Sequence, residues 1–142
     1  MTPVHLIAVF AENKLGQLAR ITRVLADAGV NIRWVTIATS ETLGVLKLLV
    51  DQTDLAFDRL HQAGFTVSRV EVLAIEVPDR PGGLTAVAAC FAANNVNIEN
   101  SSGFVYGDRA ILLVEVADVP NARAVLAGQP LRFLSPKEIL EL

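Results

Sequence analysis

Displaced by 66 positions, the 142-residue chain falls on itself without a gap through most of its length. Asn13-Lys14-Leu15-Gly16-Gln17-Leu18 lands on Asp79-Arg80-Pro81-Gly82-Gly83-Leu84, and Val30-Asn31-Ile32 lands on Val96-Asn97-Ile98. Further on, Leu46 and Val50 meet Leu112 and Val116, and Ala56 and Leu60 meet Ala122 and Leu126. One short match is chance; matches that hold a single offset across half the chain are an internal repeat. The fold is therefore one supersecondary unit of about 70 residues used twice, over residues 1–70 and 71–142.

Within each unit the hydrophobic period changes in a fixed order. Val4 to Phe10 is a strand-like apolar run, and Glu12-Asn13-Lys14 is a turn. Leu15, Leu18, Ile21, Leu25 and Ala28 follow at helical spacing, closed by Gly29. Asn31–Thr39 and Leu43–Asp51 read as strands around Ser40-Glu41-Thr42. Thr53 or Asp54 is placed to cap a second helix through Leu55, Phe57, Leu60 and Ala63, ended by Gly64 before a strand at Phe65–Val70. The order β-α-β-β-α-β is the split βαβ, or ferredoxin-like, arrangement, an α+β fold with antiparallel sheets and helices on one face.

The second unit repeats that order. Strand Val72–Val77, helix Pro81–Ala93, strands Asn97–Tyr106 and Arg109–Ala117, helix Pro120–Ala127 and strand Leu131–Leu134 are expected. Pro81 suits a first helical turn, where its missing N–H costs nothing. Ser135-Pro136-Lys137-Glu138 has the spacing of a capping box and predicts a short helix through Leu142. No Pro, Gly or Ser-rich linker parts the units, and Phe65–Val77 reads as nearly continuous strand. A rigid junction is expected.

Composition narrows the partners. Twelve basic against fifteen acidic residues leave a net charge of −3, with no basic block to attract phosphates. Nucleic acid and anionic membranes are therefore not expected partners. Apolar residues make up 52% of the chain, rich for so small a protein, yet no run reaches the roughly 18–20 residues of a membrane span. The third strands carry Leu46, Leu48, Val50 and Leu112, Val114, Val116 toward the helices. Their other face, Leu43, Val45, Lys47, Leu49 and Ile111, Leu113, Glu115, is also mostly apolar. That pattern predicts a homodimer through a sheet face or edge. A single cysteine, Cys90, and a start with no basic leader or apolar signal core predict a cytoplasmic location.

Residues able to carry chemistry are few. Gly82 and Gly83 allow close backbone approach, and the start of the helix after them offers N–H groups to a carboxylate. The alternative is that Asp79 caps the helix and the glycines only make the turn. The segment lacks the Gly-Lys-Ser/Thr ending of a P-loop. Asn31 and Asn97 each open a strand after a helix, where Asn commonly satisfies turn backbone. His5 and His61 have no metal-ligating spacing, Cys90 reads as core, and Ser101-Ser102 has no base nearby in sequence. Trp34 reads as core packing, and Leu46 and Leu48 stand where an RNA-recognition sheet needs rings. No catalytic residue, metal or cofactor is expected.

The paired motifs Asn13-Lys14-Leu15-Gly16-Gln17-Leu18 with Val30-Asn31-Ile32, and Asp79-Arg80-Pro81-Gly82-Gly83-Leu84 with Val96-Asn97-Ile98, give each unit a resemblance to an ACT domain. The resemblance covers residues 3–135 and makes the chain similar to a stand-alone tandem ACT protein. It implies ligand binding at interfaces between ACT units, through the first loop and the start of the following helix. Carried residue by residue, it implies Asn13, Leu15, Gly16, Gln17 and Leu18 in the first unit. In the second it implies Asp79, Pro81, Gly82, Gly83 and Leu84, with Asn31, Ile32, Asn97 and Ile98 on the second strands. Asn13 in place of an acidic residue and Leu15 in place of proline depart from the pattern, so the second unit is the more complete half-site.

The function these features imply is non-enzymatic. A small ligand, an amino acid by resemblance, signals through assembly or through an enzyme partner acting in trans. Two alternatives follow from the same sequence. One is a structural or oligomerisation subunit with degenerate pockets. The other is a small enzyme on a ferredoxin-like scaffold, which would need convergent acid and base residues that the sparse His and Cys do not offer.

Overall fold

A computed structural model describes residues 3–142. The elements in order are β1 (Val4–Glu12), α1 (Gln17–Asp27), β2 (Ile32–Ser40), β3 (Leu43–Val50), α2 (Thr53–Gln62) and β4 (Thr66–Pro78). They continue as α3 (Gly83–Ala93), β5 (Asn100–Tyr106), β6 (Arg109–Glu115), α4 (Val119–Leu126), β7 (Arg132–Phe133) and α5 (Pro136–Leu140). The 66-residue offset survives in the backbone. It relates the starts of α1 and α3, β3 and β6, α2 and α4, and β4 and β7. Left-handed residues keep the same offset: Gly16 and Gly82, Gly29 and Asn95, Glu41 and Gly107. Sequence identity at these positions is partial, so the shared geometry, rather than the residues themselves, is what the repeat preserves.

The chain divides into two compact units, His5–Val70 and Glu71–Leu142, the latter also taking in Pro3 and Val4. In the first, β3 lies between β1 and β2, antiparallel to both, with Ile7 opposite Leu48 and Ile37 opposite Leu46. In the second, β4 pairs antiparallel with β6 on one side and β7 on the other, and β5 pairs with β6. β4 is one uninterrupted strand that ends the first unit and begins the second, matching the continuous run read from Phe65 to Val77.

Each unit has its own core between sheet and helices. Ile21 and Leu25 of α1 and Ala56 and Leu60 of α2 close on Ile7, Val9, Leu46 and Leu48. Val87 and Phe91 of α3 and Ala122 and Leu126 of α4 close on Leu73, Ile75 and Val114. The strand faces assigned to the helices by alternation are the ones buried there.

Several boundaries move, each for a local reason. The first helix of each unit starts two residues later than its hydrophobic stripe, at Gln17 and Gly83. Gly16 (φ 87°) and Gly82 (φ 90°) are left-handed and stand outside it, which puts Pro81 in the preceding turn. α2 has Gln52 rather than Thr53 or Asp54 at its N-cap, and the Asp54 carboxylate instead meets Arg69 Nη2 at 3.0 Å. α4 starts at Val119, with Asp118 accepting from the Asn121 N–H at 3.0 Å. β5 starts at Asn100 instead of Asn97, because β6 ends at Glu115 and leaves Asn97 and Ile98 without ladder partners. A bulge between Ile32 and Trp34 moves Trp34 opposite Leu49, off the helix-facing core and half-buried.

The second sheet face also differs from expectation. Leu49, Ile111 and Leu113 are buried within the chain itself. Part of the apolar excess is thus spent internally, and from that set Leu43 stays well exposed.

The expected capping box is present on α5. Ser135 Oγ accepts from the Glu138 N–H at 3.1 Å, and Glu138 Oε1 accepts from the Ser135 N–H at 3.1 Å. The Ser135 N–H, then the Ser135 hydroxyl acting on the carboxylate, and then Arg132 hold the Glu138 carboxyl below its ordinary value. A lowered folded pKa stabilises the fold above the unfolded glutamate pKa, and that contribution disappears as pH falls through the folded value. Ser135→Ala should cost about 1 kcal/mol in urea unfolding at neutral pH, the usual loss for an N-cap hydroxyl. The difference from wild type should shrink in acid; a gap that is constant with pH would contradict the coupling.

Candidate functional site

Both units build the same corner from a strand end, a tight turn and a helix start. The Lys14 N–H donates to the Glu12 carbonyl at 2.9 Å, and the Arg80 N–H donates to the Pro78 carbonyl at 3.0 Å. The left-handed glycine then turns the chain into the helix, where the Arg20 and Ala86 N–H groups find the carbonyls of Gly16 and Gly82. Neither α1 nor α3 has a side-chain cap. Asp79 therefore does not cap α3 through its side chain, and its N–H donates to the Asp108 carbonyl at 3.0 Å. The Gln17 and Gly83 N–H groups close their turns on the Lys14 and Arg80 carbonyls at 3.3 and 3.1 Å, and the first-turn N–H groups from Leu18 and Leu84 onward stand at the positive end of each helix dipole, open to a ligand or to water.

In the first unit this corner opens onto a cleft of about 130 Å³. Asn13, Gln17 and Leu18 line it together with Glu12, Ile37, Thr39 and Leu46. The ladder explains how β2 and β3 reach the loop: Ala11 faces Gly44, and Ile37 faces Leu46, so the end of β1 and the middle of β2 flank one another across β3. Asn13 is anchored by its N–H to the Thr42 carbonyl at 2.9 Å and by Nδ2 to the Glu41 carbonyl at 3.3 Å. Both bonds use donors, so its Oδ1 remains free to accept. Leu18 is half-exposed on the wall, and Leu15 is fully exposed beside it.

In the second unit Pro81, Gly82 and Gly83 border a larger hollow of about 450 Å³ that runs along α3 toward Pro130 and Leu131. Gly83 is obligatory here, since a Cβ would stand 2.6 Å from the Pro78 carbonyl oxygen. Asp79 and Leu84 lie outside the lining of that hollow, and Leu84 is exposed.

The asparagines after the helices are placed elsewhere. α1 and α3 each have 11 residues and separate the two ends by about 16 Å. Asn31 closes the far end of α1, where its N–H donates to Asp51 Oδ1 at 2.9 Å. Ile32 packs against the first core. Asn97 and Ile98 line a separate hollow of about 390 Å³ with Asn95, Val96 and Ala92. Asn31, Ile32, Asn97 and Ile98 thus do not meet the loop residues of their own unit.

Glu12, Ile37 and Thr39 are cleft residues that the sequence motifs did not single out. Ile37 is exposed despite standing on a strand face directed at the helix, a signal visible in structure but masked in sequence by ordinary β alternation. Among the described residues no helix is long and apolar enough to cross a membrane. Among the described residues no group of His, Cys, Asp and Glu gathers as a metal site.

No curated protein sequence matches the chain. Among solved structures, protein BT0572 from Bacteroides thetaiotaomicron superposes with a TM-score of 0.93 at 27% identity, over 99% of this chain and 98% of that one. The regulatory subunit of aspartate kinase from Thermus flavus gives 0.62 at 14% identity, over 89% of this chain and 90% of that one. E. coli aspartokinase III in complex with lysine and aspartate gives 0.50 at 16% identity, over 88% of this chain and 30% of that one. At such identities the two kinase structures share the fold alone. The profile of the ACT domain pair matches residues 1–142, and with two βαββαβ units in tandem the chain belongs to that family.

Proposed function

We propose that this ACT domain pair is a regulatory protein that binds an amino acid at its helix-start corners and passes the signal through assembly or an enzyme partner in trans. ACT domains are regulatory, non-catalytic modules that bind small ligands. The observation that carries the reading is the uncapped start of α1 opening onto a cleft with both polar and apolar walls. The ligand carboxylate takes the first-turn N–H groups that the turns leave open, from Leu18 onward beside Gly16-Gln17 and from Leu84 onward beside Gly82-Gly83. The ammonium meets Asn13 Oδ1, or the Asp79 carboxylate, and backbone carbonyls. Ile37 and Leu18 contact an apolar side chain.

The cleft is small and one-sided, and a second copy of the chain supplies the missing wall in this proposal, giving a homodimer. Asn31, Ile32, Asn97 and Ile98, which lie away from their own unit's loop, are the groups a facing ACT unit would bring. The exposed Leu15, Leu18, Ile37 and Leu43 fit the same contact. They also favour a second reading, an oligomerisation subunit whose corners bind nothing.

Gly16→Val and Gly82→Val separate the two readings. Neither added Cβ meets an atom within 4 Å, so the change is backbone strain of about 1–2 kcal/mol at a φ that L-residues avoid. The regulatory reading expects a folded protein that has lost its amino-acid-dependent rise in Tm at the altered corner. A rise equal to that of wild type in both variants overturns the site.

A further inference from the structure

A hollow of about 360 Å³ lies in the first unit between α1 and the α2–β4 connection, lined by Ala19, Arg20, Arg23, Val24, Ala63 and Phe65. It shares no residue with the cleft at the Gly16 corner. Val24 and Phe65 are half-buried against the first core and give it a fixed apolar floor. Its charged members are Arg20 and Arg23, both exposed, and no carboxylate lines it among the described residues.

Three positions apart on a helix, the two arginines share one face with Cβ atoms about 5–6 Å apart. Like charges so placed repel, and an anion held between them removes that penalty. The Arg20 guanidinium sits 5.1 Å from the centre of the Phe65 ring, and Nη1 donates to Gln17 Oε1 at 2.8 Å. The ring takes one face of the guanidinium and leaves its in-plane N–H groups to meet a carboxylate edge-on. Arg23 Nη1 stands 4.0 Å from Asp27 Oδ1, beyond hydrogen-bond distance, in a pair open to water. At the 66-residue offset the second unit has Ala86 and Ala89 for the two arginines and Leu131 for Phe65. α3 packs through Val87 and Phe91 as α1 does through Ile21 and Leu25, so helix packing does not require the arginines.

We propose that this hollow binds a small organic dicarboxylate, with one carboxylate on Arg20, the other on Arg23 and the carbon frame over Val24, Ala63 and Phe65. The apolar floor favours a carbon frame over a bare inorganic anion. Carboxylates in meta positions on a ring match side chains one helical turn apart. The site needs no ammonium group and does not rest on the amino-acid reading.

The test is a 15N NMR titration of the whole protein with isophthalate, against benzoate, uncharged isophthalamide and inorganic phosphate. Isophthalate should produce saturable shifts of the Val24 and Phe65 amides at millimolar concentration. Benzoate and phosphate should bind at least tenfold more weakly, and isophthalamide should give no shift. Arg20→Gln and Arg23→Ala should each weaken the isophthalate response at least tenfold. Arg23→Ala copies the second unit at an exposed position, and it keeps the test decisive if Arg20→Gln disturbs the packing of Phe65. No saturable shift at Val24 and Phe65, shifts confined to Gln17 and Leu18 at the cleft, an equal response to benzoate, phosphate or isophthalamide, or a response unchanged in Arg23→Ala would overturn the proposal. Amino-acid binding that persists at the Gly16 corner under any of those results fails this inference alone.

Discussion

Truncating Phe91 to alanine is expected to lower the stability of the second unit by about 3–5 kcal/mol, the usual cost of emptying an aromatic site in a packed core. Phe91 is 1% exposed and sits where α3 and α4 meet the sheet, against Leu73, Val114 and Leu126. A unit of about 70 residues carries only roughly 4–10 kcal/mol in total at typical per-residue values. The loss therefore removes a large share of it, and Tm should fall by more than about 10 °C. Leu25, the residue 66 positions earlier, occupies the same place in the first core and should cost about 2–5 kcal/mol as alanine. Urea unfolding followed by circular dichroism measures both. A loss under about 1 kcal/mol at either position would mean that the helices do not pack as described.

A second large effect is expected at Gly83, and it inverts what the repeat would advise. The equivalent residue of the first unit is Gln17, so copying the first repeat writes Gly83→Gln. In the second unit any Cβ at this position stands 2.6 Å from the Pro78 carbonyl oxygen, a backbone atom that cannot rotate away. The helix start has to shift, at a cost of about 1–3 kcal/mol. The reverse change, Gln17→Gly, removes a Cβ and creates no clash. It should cost little beyond glycine entropy, about 1 kcal/mol or less at a helix start. Equal effects from the two substitutions would show that the corners are interchangeable and that the close approach at Gly83 is not real.

These corners show what could be read from sequence and what could not. The 66-residue offset made the order of elements, the helix-facing strand residues and the turn glycines legible, because each depends on local period or on one residue's φ. The helix starts were misplaced for a reason also local but hidden. Leu15 continues the apolar stripe in sequence, whereas the left-handed Gly16 directs the chain so that Leu15 is fully exposed instead. Asp54 reads as a cap until Arg69, fifteen residues on, claims its carboxylate. Trp34 reads as core until the bulge after Ile32 reverses its face. The loop half of the cleft, Asn13, Gln17 and Leu18, follows from the motif. The wall formed by Ile37 and Thr39 depends on the register of three strands, which no single stretch of sequence specifies.

A thermal-shift screen of the purified protein against the common amino acids at millimolar concentration tests amino-acid binding most directly. A ligand present at 100 times its dissociation constant stabilises the native state by about 2.7 kcal/mol, enough to raise Tm by several degrees. The prediction is a selective rise for one amino acid or a chemically related group, diminished in Gly16→Val or Gly82→Val. A response to no amino acid, or a rise that both variants leave intact, would contradict it.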